Sequence, residues 1–126
     1  MIDIAQQVAY WRDGAREDWD VAQDLIAQGR VRHAMFFAHL ALEKVLKAHI
    51  CRQTNDLAPR LHNLIRLAEI GDVRPSQKYL DVLAEMNAFN LEGRYPDLLM
   101  PPPSLAEARD YLTRAEEVMQ WLLSQL

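Results

Sequence analysis

Apolar positions along this chain recur every three or four residues, and no segment alternates with period two over the length of a strand. β-Branched residues are sparse, so the pattern predicts helices throughout. The first runs from about Ile4 to Gln28. Ile4, Val8, Trp11, Ala15, Trp19, Ala22 and Ile26 form its stripe, and Gly29 suits its end. The second runs from about Val31 to Arg52, where Phe36, Phe37, Leu40, Ala41, Val45, Ala48 and Cys51 give a wide apolar face. Turn formers fill the stretch from Gln53 to Pro59. A short third helix over Leu61 to Ile70 stops at Gly71-Asp72, and a fourth starts near Pro75 and carries Tyr79, Leu80, Leu83, Met86 and Phe89 to Glu92. Ser104 followed by Glu107 reads as a capping box that opens a last helix reaching about Gln125. The expectation is an all-α fold: an antiparallel up-and-down bundle of four long helices and one short one, within a single domain spanning residues 1–126.

Composition narrows the class. Half of the 126 residues are apolar and a quarter are charged, which argues for a folded domain and against disorder. Apolar runs are short and broken by charge, so no membrane span or membrane partner is expected. The start "MIDIAQQVAYWRD" lacks a basic segment and a small-residue cleavage site, and Cys51 stands alone. Both point to a cytoplasmic protein without a disulfide framework. The net charge of −4 is uneven. Residues 1–28 carry Asp3, Asp13, Glu17, Asp18, Asp20 and Asp24 against Arg12 and Arg16, whereas residues 29–52 carry Arg30, Arg32, Lys44, Lys47 and Arg52 against Glu43. Two readings follow: an acidic helix packed beside a basic one, or a local basic segment for a small anionic partner.

Candidate chemistry is thin. Glu43 is followed three positions on by Leu46, and Glu69 by Asp72, so the Glu-x-x-His pairs of bundle metal centres are absent. No HExxH motif and no Gly-rich phosphate loop exist, so neither a metal nor another cofactor is expected. Cys51 and His49 are two positions apart on a helix and diverge, which leaves the cysteine inert and no catalytic residue assigned. His39, Glu43 and Lys47 recur at four-residue intervals on one face, with Lys44 beside them. That spacing favours an exposed i,i+4 ion pair, and the sharper alternative is a groove where Lys47 and His39 hold a phosphate. In "GRYPD", Gly93, Pro96 and Asp97 make a good turn after a helix. Arg94 is left unexplained, since its planar fork wants a carboxylate or a phosphate. Glu43 is the first candidate for that carboxylate.

Three segments in order, "FFAHLALEKVLKAHI", "LHNLIRLAEI" and "NAFNLEGRYPD", resemble the HEPN family, the higher eukaryotes and prokaryotes nucleotide-binding domains. They match the EK-x-LKA part of its A-x-x-x-A-x-EK-x-LKA helix at Glu43, Lys44, Leu46, Lys47 and Ala48. His62, Asn63 and Leu64 match an H-[DN]-L segment, and Arg94, Tyr95, Pro96 and Asp97 match an RYPD turn. The chain is thereby identified as similar to a small bacterial stand-alone member of the RYPD-containing branch. The resemblance implies a helical bundle, commonly a homodimer, often encoded beside a minimal nucleotidyltransferase and acting with it as a toxin–antitoxin pair. It also implies a nucleotide site on Arg94, Tyr95, Asp97, Lys47, Lys44 and Glu43, to which the four-residue spacing adds His39. Arg94 and Lys47 would face phosphate, Tyr95 a base or ribose, and Glu43 would orient Arg94. Other members are metal-independent endoribonucleases with an R-x4-6-H motif near the start of the last long helix. Here that helix holds Arg109 and Arg114 but no histidine. A binding module for a nucleotide or a nucleotidyltransferase is therefore expected, whether or not RNA is also bound. The alternative is a ribonuclease toxin with a displaced site, built from His39 with Arg32 or Arg94, and a third reading makes the same segments bundle packing alone.

Overall fold

The computed structural model describes residues 1–92 and 101–126. Among the described residues the chain forms helices α1 (Ile4–Ala27), α2 (Val31–Thr54), α3 (Leu64–Ile70), α4 (Gln77–Met86), α5 (Ala88–Glu92) and α6 (Leu105–Ser124), and no strand. The expected all-α bundle is the observed architecture. None of these helices is long and apolar enough to cross a membrane.

Local chemistry sets the boundaries. Asp3 caps α1 by accepting from the Gln6 amide at 3.0 Å, and Gly29 takes the left-handed conformation (φ 75°) that ends it. At the start of α6 both halves of the capping box form: the Glu107 amide donates to Ser104 Oγ at 3.1 Å, and the Ser104 amide to Glu107 Oε1 at 2.9 Å. The third helix starts at Leu64 rather than Leu61, because the Asn63 side chain caps it by accepting from the Arg66 amide at 3.0 Å. The expected fourth helix starts at Gln77, after the cap Ser76, and divides at Asn87 into α4 and α5. Asn87 turns its side chain away from its own helix and accepts the Leu64 amide at 2.8 Å, which ties the division to the start of α3. Gly71 does not supply the left-handed turn after α3, which falls on Asp72 (φ 52°). Its role is close approach: a Cβ there would lie 3.3 Å from Ile50 Cγ1 and 3.4 Å from His49 Cβ.

Helices α1 and α2 form an antiparallel hairpin, with Asp18 meeting Lys44 while the earlier Trp11 meets the later Lys47. The C-terminal ends of α2 and α6 lie together, since His49 reaches the Leu122 carbonyl and Arg52 the Gln125 carbonyl. Helix α4 runs against α6 through the pairs Arg114–Glu85 and Lys78–Glu117 and the Tyr79–Trp121 ring contact. Helix α2 is thereby enclosed by α1, α3, α5 and α6. Fourteen of its 24 residues are buried, among them Met35, Leu42, Leu46 and Ile50. Each such apolar side chain contributes about 1.5–3 kcal/mol of transfer free energy. A helix wrapped this way has no fully solvated face, and that decides the fate of its polar stripe.

Candidate functional site around Glu43 and His62

His39, Glu43 and Lys47 do share one face of α2, but the face is interior. Their exposures are 1%, 4% and 6%, so the expected exposed ion pair is a buried one. The reason is cover from two sides. The segment before α3 lies over Glu43 and His39, and the Trp11 ring of α1 lies 5.3 Å from Lys47 Nζ. Burial of charge costs several kcal/mol per ion unless each group finds a partner. Here the partners are present. Lys47 Nζ donates to Glu43 Oε2 at 3.1 Å, and His62 Nδ1 donates to Glu43 Oε1 at 2.9 Å. Both carboxylate oxygens thus have a charged or polar donor, and the ammonium also lies over an aromatic face.

His39 holds the same loop by its main chain. A carbonyl can only accept, so the 3.1 Å contact from His39 Nε2 to the His62 carbonyl makes Nε2 the donor. His39 Nδ1 then faces Glu43 Oε1 at 3.9 Å, beyond hydrogen-bond reach of that oxygen. His62 differs from the rest of the group in being 39% exposed at its side chain. It immediately precedes Asn63, the α3 cap, whose Oδ1 also receives Asn87 Nδ2 at 3.5 Å. Loop, α2 and the α4–α5 junction are therefore fastened together at this point.

Of the residues expected in the site, His39, Glu43 and Lys47 come together. Lys44 does not join them: it pairs across the hairpin with Asp18, Nζ to Oδ2 at 2.8 Å. That pair supports the packing of an acidic helix against a basic one. Arg94, Tyr95 and Asp97 lie outside the described residues, and so does the expected pairing of Arg94 with Glu43. His62 and Trp11 are the members that spacing along one helix did not place in the group. The signal for His62 was present, since it opens the H-[DN]-L segment, but nothing local says that it faces Glu43. Cys51 is buried on α2, and desolvation pushes its thiol up from the usual value, as an inert cysteine requires. Burial draws His49 below its usual value of 6.5 despite its 2.9 Å bond to the Leu122 carbonyl. On α6, Arg114 is engaged by Glu85 and Asp110 and lies 5.0 Å from the Tyr111 ring centroid. Open grooves lie elsewhere, one between α1 and α6 (Arg16, Trp19, Met119, Leu123) and one beside Arg52, Arg74 and Trp121. Neither touches the Glu43 network.

The family model of the HEPN domain matches residues 8–126. The chain belongs to the HEPN family. Two solved structures share the HEPN chain's fold. The protein TT1696 from Thermus thermophilus is 21% identical, with a TM-score of 0.81 over 95% of this chain and 98% of that one. ST0689, an archaeal HEPN homologue, is 20% identical, with a TM-score of 0.73 over 94% of this chain and 96% of that one. No curated protein matches. At these identities the two structures speak for the HEPN fold, which they share over nearly their whole lengths.

Proposed function

We propose that this HEPN domain is a binding module for a nucleotide, working as a homodimer beside a minimal nucleotidyltransferase in a toxin–antitoxin-like pair. One observation supports it above the others. A buried ionic group on α2, Glu43 with Lys47, holds a half-exposed imidazole from a separate loop at 2.9 Å. Interior packing alone is achieved more cheaply with apolar side chains, so a group that presents a polar ring to solvent suits ligand contact. In this reading Lys47 is a positioning residue: its ammonium is committed to Glu43 inside the bundle, and phosphate contact belongs to Arg94. Tyr95 takes the base or ribose.

A second reading, an RNA-cleaving enzyme, is favoured by the same 2.9 Å contact, because a carboxylate on Nδ1 is how hydrolases orient a histidine general base. Against it stand the lack of any histidine after His62 and the engagement of Arg114 with Glu85 and Asp110. Isothermal titration with ADP, GDP, CDP and UDP, run beside RNA integrity measurements on the purified protein, separates the readings. The module reading expects saturable binding of at least one nucleotide, weakened in Arg94→Ala, and intact RNA. RNA breakdown that disappears in His62→Phe selects the enzyme. Absence of binding to all four nucleotides removes the nucleotide reading.

A further inference from the structure

Three side chains of α2 converge on one loop residue. His39 holds the His62 carbonyl at 3.1 Å, Glu43 holds His62 Nδ1 at 2.9 Å, and Lys47 fixes the second oxygen of that carboxylate at 3.1 Å. An ionised carboxylate accepts and does not donate, so the hydrogen lies on His62 Nδ1. The neutral ring then carries its lone pair on Nε2. Nδ1 abuts a side chain that is 5% exposed, whereas the His62 side chain as a whole is 39% exposed. Among the described residues no hydrogen bond reaches that nitrogen. Among the described residues, the groups around His62 therefore hold the neutral ring as an acceptor, in a chosen tautomer, at the edge of the buried group.

We infer that His62 reads a ribose hydroxyl of the bound nucleotide through Nε2, with Glu43 as the positioning residue that selects its tautomer. The inference rests on the nucleotide reading above and adds the class of ligand, a ribonucleotide in preference to a deoxyribonucleotide. Phosphate is the poorer partner for this atom, because a phosphate oxygen offers no hydrogen to a lone pair. A hydroxyl offers one, and the charged groups behind the ring, Glu43 and Lys47, already compensate one another.

The test is a titration of wild type and His62→Phe with ADP, GDP, CDP and UDP and with the 2′-deoxy and 3′-deoxy form of each. For the nucleotide that binds most tightly, one deoxy form should bind wild type about 3- to 10-fold more weakly, the worth of one neutral hydrogen bond. His62→Phe should weaken the ribo form by the same factor and no longer distinguish the two. A purely structural histidine would shift all forms together. Equal binding of ribo and both deoxy forms by wild type overturns the role of His62 and leaves the nucleotide reading standing. Failure of all four nucleotides to bind overturns both. Equal binding by wild type would overturn the inference even where His62→Phe does not fold.

Discussion

Replacing Glu43 by methionine keeps the volume of the side chain but leaves the Lys47 ammonium, 7% exposed, without its counter-charge. Breaking a buried pair from one side costs about 3–5 kcal/mol, because the remaining ion is both desolvated and uncompensated. Lys47→Met should cost a similar amount, somewhat less where His62 still donates to the stranded carboxylate. The double variant Glu43→Met/Lys47→Met removes both charges, and apolar replacement of a whole buried pair is often neutral. It should therefore be more stable than either single variant, with a coupling of about 2 kcal/mol or more. The assay is urea unfolding followed by far-UV circular dichroism, which is insensitive to the change of environment at Trp11. For a chain of 126 residues the single losses correspond to a fall in Tm of about 10–20 °C. Single variants that each lose under about 1 kcal/mol and add in the double would describe an exposed pair, and would refute the buried network.

Two further outcomes follow from local chemistry. Ser104→Ala removes one half of the capping box at α6 and should cost about 1 kcal/mol in the same unfolding measurement, with no change in the network around Glu43. His49 has its folded-state value lowered by burial, so its neutral form is the one the fold accepts. The unfolded chain then takes up the proton first, and stability is full above the usual 6.5 and declines as pH falls from there through the lowered folded-state value. Urea midpoints measured across that range should show this decline in wild type and a shallower one in His49→Gln, whose amide can still donate to the Leu122 carbonyl.

Much of the fold was legible because its signals are local. The apolar stripe of α1, the left-handed Gly29 and the Ser104–Glu107 box each follow from residues within a few positions of one another. The misplaced starts of α3 and α4 have a common cause. Asn63 and Ser76 cap from inside stretches that also suit a helix, and the division at Asn87 is fixed by Leu64, 23 positions away. The site shows the same limit. Four-residue spacing correctly grouped His39, Glu43 and Lys47, but whether their face meets water depends on which elements cover α2. Trp11 and His62 do so from 36 and 19 positions away along the chain, distances at which helical periodicity carries no information. Lys44, next to Glu43 in sequence, points around the helix to Asp18 instead.

Glu43 holds His62 in one tautomer, with Nδ1 protonated and Nε2 left to a ligand. A long-range proton–nitrogen NMR spectrum of the four histidines reads this directly, at a pH where the imidazoles are neutral. The His62 ring should show a protonated Nδ1 and an unprotonated Nε2, the reverse of the tautomer that free imidazole side chains favour. In Glu43→Met/Lys47→Met that preference should be lost. A wild-type His62 protonated at Nε2, or averaging between the two tautomers, would contradict it.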